Sequence, residues 1–138
     1  MTAIDTNIFL DILRPNPSFV EASGRALLAA MEEGVAVGEI VYAELSAHFE
    51  SEEKLGEFLG DFEVQICPCN GETLFRAGQA WKEYRERGGK RERILPDFLI
   101  GAHAEILCKK LLTRDADFFR LNFPALPVIE PEKATSQR

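Results

Sequence analysis

The first ten residues constrain the fold more than any other stretch, because they join a short apolar run directly to a polar triplet. Residues 1–4 lead into Asp5, Thr6 and Asn7, and the sequence then turns apolar again. This pattern is typical of a buried strand that delivers polar groups to the edge of a sheet. We therefore predict that residues 1–4 form a core strand and that Asp5 is the first functional group to emerge from it.

The length and composition are those of one soluble globular domain. With 138 residues, of which 46% are hydrophobic and 28% charged, the chain can bury a core without disulfides or metal staples. We predict a single domain over residues 1–131 and a disordered tail over residues 132–138. No apolar run approaches the ~20 residues that span a bilayer, and charges interrupt the N-terminal apolar stretch. We expect no membrane segment, no signal peptide and a cytoplasmic location, which three unpaired cysteines also fit.

Apolar periodicity and turn residues predict strands that alternate with helices. The predicted strands lie at residues 1–4, 35–37, 62–67, 111–113 and 126–129. The predicted helices lie at residues 6–13, 18–34 with Ser18 as the cap, 39–45, 52–59, 72–87, 97–110 and 115–121. Such alternation indicates an α/β fold with a parallel sheet covered on both faces. Functional sites of these sheets lie at the carboxyl ends of the strands, near a switch in strand order, and Asp5 and the group after Thr113 are both expected there.

Acidic residues are placed at or near this edge. Each has an ordinary structural explanation: Asp5 as a helix cap, Glu44 at the margin of an apolar stripe, Asp97 in a first helical turn, and Asp115 and Asp117 as turn or cap residues. Yet Glu44 shares its predicted helix face with apolar residues, and a buried charge is costly unless it is paired or bound to a metal. Several carboxylates in one cleft repel one another unless a cation neutralises them. Their oxygens select Mg²⁺ or Mn²⁺, ions that activate water for phosphodiester hydrolysis.

A basic stretch precedes Asp97 in a chain whose formal net charge is −7. The acidic total argues against a general nucleic-acid coating protein, which would be basic overall. A basic loop beside metal-binding acids can hold phosphates, but cations also stabilise a helix C-terminus without any ligand. Both interpretations stay open. The candidate RNA-binding residues are Lys82, Arg85, Lys90, Arg91 and Arg93.

Taken in order, these motifs resemble the PIN domain, and more narrowly the VapC toxins of bacterial and archaeal toxin–antitoxin pairs. The motifs are Asp-Thr-Asn at 5–7, Val-Tyr-Ala-Glu-Leu at 41–45, Pro-Asp at 96–97 and Leu-Leu-Thr-Arg-Asp-Ala-Asp-Phe at 111–118. Asp-Thr-Asn alone is weak, whereas the ordered set is specific and covers the chain to about residue 131. The resemblance implies a three-layer α/β/α sandwich with a central parallel sheet. It also implies an endoribonuclease toxin that depends on Mg²⁺ or Mn²⁺.

The resemblance further implies residue roles and partners. The catalytic, metal-binding acids would be Asp5, Glu44, Asp97 and Asp115, with Asp117 as an accessory. The supporting polar groups would be Thr6, Asn7 and Thr113. The implied partners are an RNA substrate of the tRNA or rRNA class, a second copy of the chain in a homodimer, and a VapB-type antitoxin. That antitoxin would insert a C-terminal segment into the cleft and make the DNA contacts through which the pair represses its operon.

Two alternatives compete with this hypothesis. A phosphotransferase of the haloacid-dehalogenase type also begins with an Asp at a strand end. It would want a second Asp two residues later, where this chain has Asn7. A non-catalytic PIN-like binding module would keep the fold and only bind a partner, and absence of metal binding would be its clearest sign.

Overall fold

A computed structural model describes residues 1–90 and 93–132 of the chain. Within these residues five short strands form one sheet, in the order β3-β2-β1-β4-β5, and every adjacent pair is parallel. The strands are β1 (Thr2–Ile4), β2 (Val35–Val37), β3 (Val64–Ile66), β4 (Lys110–Leu112) and β5 (Val128–Ile129). The central strand β1 is paired on both sides and buried along its whole length, which explains its uninterrupted apolar sequence.

Helices connect the strands and flank the sheet. The α-helices of the described chain are α1 (Thr6–Leu13), α2 (Val20–Met31), α3 (Glu39–Ser46), α4 (Glu52–Asp61), α5 (Gly71–Glu86), α6 (Leu95–His103) and α7 (Ala116–Asn122). A π-helical turn (Ala104–Cys108) continues α6 towards β4. This arrangement confirms the predicted α/β/α sandwich. None of the helices within the described ranges is long and apolar enough to cross a membrane.

The sheet has one switch in strand order, and it lies beside β1. The chain moves outward from β1 to β2 and β3, then returns to place β4 on the other side of β1. At the carboxyl ends of this central pair, Ile4 is in register with Leu112. The next residues, Asp5 and Thr113, therefore emerge side by side where open parallel sheets hold their ligands.

Aromatic residues pack α5, α6 and α7 against one another beside this edge of the sheet. The rings of Phe98 and Phe118 meet edge to face with centroids 5.3 Å apart, and Tyr84 packs on Phe98 at the same distance. Phe98 is fully buried. The cluster joins α5, α6 and α7, so the first turns of α6 and α7 are held in fixed positions relative to each other.

Several predicted boundaries are wrong, each for a local reason. Ser18 does not cap α2, because the helix begins at Val20 and its N-cap position is Phe19. Ser18 lies in the preceding turn, where its N–H donates to Asn16 Oδ1 at 3.0 Å. The helix predicted for residues 97–110 becomes π-helical after His103 and ends at Lys109, whose left-handed backbone (φ 93°) directly precedes β4. The strands predicted at 62–67 and 126–129 are shorter. Of the predicted tail, residues 133–138 lie outside the described residues.

Candidate active site

The predicted acids meet in one open cleft of about 520 Å³ at the carboxyl edge of the sheet. Asp5 follows β1, Glu44 lies on α3, Asp97 lies in the first turn of α6, and Asp115 directly precedes α7. The other lining residues are Thr6, Asn7, Leu10, Ala47, His48, Ile100 and Phe119. Four carboxylates that are far apart in sequence thus share one concave surface.

Asp5 is held by the polar groups predicted to support it. Its Oδ1 accepts a 2.7 Å hydrogen bond from the N–H of Thr6, and its Oδ2 accepts a 2.7 Å bond from Thr113 Oγ1. Asn7 Nδ2 is 3.4 Å from the same Oδ2. Asp5 is therefore the cap of α1 and also a member of the cleft, and the two interpretations do not exclude each other.

The electrostatic surroundings of Asp5 oppose its ionisation. Burial, the largest cause, raises the pKa of Asp5 to about 6. Hydrogen bonds from Thr113 and Thr6 lower that pKa, whereas the negative charges of Glu44 and Asp115 raise it. A cation in the cleft would relieve this repulsion and offset the cost of burying the charge.

Glu44 lies on the solvent side of the cleft. The residue is exposed, whereas Val41 and Leu45 on the same helix are buried. The prediction that Glu44 shares the buried face of α3 is therefore wrong, because the face that packs on the core runs through Val41 and Leu45 and leaves Glu44 at its margin. Thr6 Oγ1 donates a 2.5 Å hydrogen bond to Glu44 Oε1, which holds the carboxylate beside the residue that follows Asp5.

Asp97 is half-buried and is bonded to the start of its own helix. Its Oδ2 accepts a 3.3 Å hydrogen bond from the N–H of Ile94. Burial is the main cause that raises its pKa, against the Ile94 bond and the charge of Arg93. The negative charges of Glu44 and Asp115 raise it further, so the acids of the cleft influence one another.

Asp115 forms an ion pair that the sequence did not reveal. Arg93 Nη1 lies 2.6 Å from Asp115 Oδ2, and the Arg93 guanidinium also stacks over the Phe118 ring at 4.3 Å. Asp115 occupies the N-cap position of α7, as its interpretation as a helix cap predicts, but its side chain makes no capping bond there. Asp117 is exposed and does not line the cleft.

A second polar contact between distant parts of the chain was also missed. Arg114 Nε lies 2.9 Å from Oδ2 of Asp11, a buried residue that also accepts a 2.6 Å bond from Ser23 Oγ. The backbone N–H of Arg114 donates to Asn7 Oδ1 at 3.2 Å. These contacts tie the segment before Asp115 to α1 and α2. The only sign in the sequence that Asp11 needs a buried partner was that this acid interrupts the apolar spacing of α1.

Three of the five RNA-binding candidates line a cavity, and it is not the acid cleft. Arg85, Lys90 and Arg93 line a second cavity, whereas Lys82 is exposed on α5 and does not line it. Arg91 lies outside the described residues. In the acid cleft, His48 adds a nitrogen that the sequence argument did not use: within the described part of the chain, its buried Nδ1 has no hydrogen-bond partner.

The donor set fits a hard divalent cation, although the side chains do not converge on one. Among the described residues, no three His, Cys, Asp or Glu side chains lie close enough together to hold a metal ion. Each acid is bonded to a protein group instead, as in the Glu44–Thr6 and Asp115–Arg93 contacts. Because Glu44 is exposed, its side chain can turn towards Asp5 without unpacking the core. Carboxylate oxygens like those that line the cleft are the ligands that Mg²⁺ and Mn²⁺ prefer.

Solved structures share this fold at low sequence identity. A chain of the VapBC2 complex from Rickettsia felis, bound to a DNA fragment from its promoter, is 22% identical, with a TM-score of 0.72 over 95% of this chain and 98% of that one. A chain of a toxin–antitoxin complex from Klebsiella pneumoniae is 20% identical, with a TM-score of 0.69 and coverage of 97% and 100%. A chain of FitAcB from Neisseria gonorrhoeae is 22% identical, with a TM-score of 0.64 and coverage of 94% and 96%.

A match to a family model gives stronger evidence for the family of this chain than these structural similarities do. No curated protein matches the sequence significantly. The PIN-domain family model, however, matches residues 2–124, a range that includes every acid of the cleft. PIN domains are generally nucleases. With a match over most of its length and the PIN-like sandwich, this chain belongs to the PIN-domain family.

Proposed function

We propose that this chain is a metal-dependent endoribonuclease and the toxin of a toxin–antitoxin pair. The observation that carries the proposal is the cleft itself, in which carboxylates from four separate elements meet at the switch point of a parallel sheet. The PIN family membership supports nuclease chemistry. The likeness of the fold to chains of VapBC and toxin–antitoxin complexes supports the toxin role.

In this proposal Asp5, Glu44, Asp97 and Asp115 hold Mg²⁺ or Mn²⁺. A bound ion would supply the chemistry of water activation and of charge neutralisation at the leaving oxygen of the phosphodiester. Thr113 and Thr6 orient Asp5, and Thr6 also orients Glu44. Arg93 neutralises Asp115 when no cation is present. Asp117, which does not line the cleft, has at most an accessory role through the field it adds near the site.

The proposed partners extend the toxin hypothesis, and only the antitoxin among them has support from the solved complexes. The substrate is RNA of the tRNA or rRNA class, and a VapB-type antitoxin covers the cleft and supplies any DNA contacts. We also propose a homodimer in the cytoplasm. Support for partner surfaces comes from large apolar side chains left in solvent on α5 and α7, where Phe75 is 70% and Leu121 is 71% exposed. Light scattering of the antitoxin-free protein tests the dimer, because the mass would be twice 15.5 kDa.

The decisive experiment is cleavage of a panel of structured RNAs, tRNAs included, by the purified antitoxin-free chain. Reactions contain Mg²⁺, Mn²⁺ or EDTA, and Asp97→Asn is compared with Asp61→Asn, a matched change at an exposed acid that ends α4 outside the cleft. The proposal expects metal-dependent cuts by wild type and by Asp61→Asn, and none by Asp97→Asn. Equal cleavage by Asp97→Asn would show that the site assignment is wrong.

Calorimetric titration with Mn²⁺ separates the alternatives. A chain that binds Mn²⁺ through Asp97 but cuts no RNA of the panel would point to a substrate outside the panel. A chain that neither binds Mn²⁺ nor cuts RNA would be a binding module. Phosphotransfer to an acid of the chain from a small phosphoester would favour the haloacid-dehalogenase alternative, although Asn7 is bonded to Arg114 N–H where that chemistry wants an acid.

A further inference from the structure

A second cavity beside the acid cleft has a basic and aromatic lining. This cavity, which we name the basic groove, has a volume of about 600 Å³ and is lined by Trp81, Arg85, Gly89, Lys90, Arg93 and Ile94. Among the described residues its lining contains three cations and no acid, in a chain whose formal net charge is −7. Such a concentration of positive charge against the balance of the whole chain indicates a site for an anionic ligand.

The basic groove borders the acid cleft, because Arg93 and Ile94 of its lining contact acids of the cleft. The guanidinium of Arg93 lines the groove and reaches Asp115 in the cleft at 2.6 Å. The backbone N–H of Ile94 donates to Asp97, which also lines the cleft, at 3.3 Å. The cations of the groove therefore lie close to the acids of the cleft, within reach of a polymer that extends from one cavity to the other.

Two of the three cations of the groove are available to a ligand. Within the described residues, Arg85 and Lys90 make no ion pair, and both are exposed. The Arg85 guanidinium instead lies over the Trp81 ring, 5.1 Å from its centroid. Together they form a flat, positively charged platform, the combination on which unpaired nucleic-acid bases stack.

The loop that carries Lys90 is anchored to the core. Tyr84 Oη donates a 2.9 Å hydrogen bond to the carbonyl of Lys90, and the Tyr84 ring packs on the buried Phe98. Gly89 lies against this ring so closely that a Cβ there would overlap Tyr84 Cε2. The backbone of Lys90 is thus held at a defined place on the groove wall, while its ammonium group remains in solvent.

We propose that the basic groove is a nucleotide subsite that holds unpaired RNA next to the scissile phosphate. Lys90 and Arg93 contact backbone phosphates, and one base lies against the Trp81–Arg85 platform. This inference rests on the proposed ribonuclease function and adds to it a preference for single-stranded RNA, because a base inside a duplex cannot reach the platform. Cleavage is then expected in loops or single-stranded ends of structured RNAs.

The chain offers a direct optical test, because Trp81 is its single tryptophan. Full-length Asp97→Asn protein in EDTA is titrated with a short single-stranded oligoadenylate RNA, and the Trp81 emission is recorded. We expect a saturable change in emission, and a much smaller one with a duplex RNA of equal length. An unchanged emission would overturn the inference. Oligoglutamate serves as a second anion, and an equal response to it would also overturn the assignment to RNA.

Substitutions then connect this response to the groove. In the same background, Arg85→Ala and Lys90→Ala are each expected to weaken binding of fluorescein-labelled oligoadenylate about fivefold at ~0.1 M salt. The slope of log K against log salt should also fall by about 0.7 for each phosphate that the variant no longer neutralises. Lys54→Ala, which removes an exposed cation on α4 outside both cavities, is the matched control and should change neither quantity. Equal weakening by all three substitutions would overturn the subsite.

Cleavage kinetics distinguish this inference from the proposed function. With an RNA that wild type cuts, the groove variants should raise KM about fivefold and leave kcat nearly unchanged, because they retain every acid of the cleft. Cleavage by these variants with unchanged KM would remove the subsite and leave the nuclease intact. A wild-type chain that cuts no RNA would instead remove the proposed function itself.

Discussion

Thr113 Oγ1 lies 2.7 Å from Asp5 Oδ2 and also accepts the backbone N–H of Asp115 at 2.9 Å. One fully buried hydroxyl thus links two acids of the cleft. The link spans the pairing of β1 with β4, at the point where the strand order reverses. The geometry of the two acids therefore depends on a single side chain that is not itself ionisable.

Thr113→Val should weaken both the fold and the site. Valine has nearly the same shape but leaves the buried Asp5 oxygen and the Asp115 N–H without this partner, which costs about 1–3 kcal/mol of unfolding free energy. The Thr113 bond lowers the pKa of Asp5, so its removal should raise that pKa further and shift metal binding to higher pH. Urea unfolding at neutral pH and Mn²⁺ titrations against pH measure the two effects. Thr113→Ser keeps the hydroxyl and should resemble wild type; a Val variant as stable as wild type would contradict the prediction.

Asp5 should make the metal-free protein less stable as the pH rises. Burial raises its pKa to about 6, so the folded state binds the proton more tightly than the unfolded state, whose carboxyl titrates near ~3.9. Stability contributed by the protonated form is therefore lost between about pH 4 and pH 6 and stays lost above that. Asp5→Asn should be more stable than wild type at about pH 7, by up to about 3 kcal/mol, and equal to it near pH 4. Urea titrations in EDTA across this range test the sign; a gap that widens towards low pH would refute it.

Addition of Mn²⁺ should reverse this loss in wild type but not in variants that lack an acid of the cleft. A cation that binds only the folded state stabilises it by about 2.7 kcal/mol at a hundredfold excess over its Kd. The thermal midpoint of wild type should rise with Mn²⁺ and fall again with EDTA. The midpoints of Asp5→Asn and Asp97→Asn should stay nearly constant, whereas Asp61→Asn should follow wild type. A similar rise in all four proteins would mean that the ion binds elsewhere.

Arg93→Gln should tighten the binding of Mn²⁺. Arg93 neutralises Asp115 through a partly exposed ion pair of 2.6 Å, which a metal must displace. Pairs of this exposure are worth about 0.2–1 kcal/mol, so their removal should lower the Kd for Mn²⁺ by roughly 1.4- to 5-fold. Isothermal calorimetry measures the change, and Arg93→Lys, which keeps the charge, should lie close to wild type. Weaker Mn²⁺ binding by Arg93→Gln would indicate that Arg93 orders Asp115 for the metal instead of competing with it.

The sequence predicts which strand ends and helix turns carry the acids of the site, because local patterns determine these positions. An apolar run that ends at Asp5 marks the end of a core strand, and Pro96 marks the first turn that carries Asp97. Parallel topology then brings such ends to one edge, so the meeting of the acids could be anticipated without contacts. Glu44 was predicted on the correct helix, but it was placed on the buried face of that helix and the structure leaves it exposed. In a helix of only eight residues the pattern defines the edge of the buried face poorly.

Long-range polar pairs could not be predicted in the same way. Arg93 lies in a run of basic residues, and nothing local distinguishes the one that reaches Asp115. The bond between Arg114 and Asp11 joins residues 103 positions apart. Periodicity and spacing carry no information on such partners, since these depend on how the finished helices lie against the sheet.

An added methyl group is expected to change the unfolding free energy in opposite directions at two helical glycines. At Gly101 in α6 a Cβ would overlap Cε2 of the buried Phe123, whereas at Gly24 in α2 it would meet nothing within 4 Å. Gly101→Ala should therefore force the Phe123 ring to move and cost about 1–3 kcal/mol of unfolding free energy. Gly24→Ala should stabilise the protein by about 0.5–1 kcal/mol, because alanine loses less backbone entropy in a helix. Urea unfolding of both variants measures the difference.

Because α6 begins at the turn that carries Asp97, Gly101→Ala should also weaken Mn²⁺ binding, while Gly24→Ala leaves it unchanged. Equal stability of the two variants would show that the contact between Gly101 and Phe123 does not fix the position of α6.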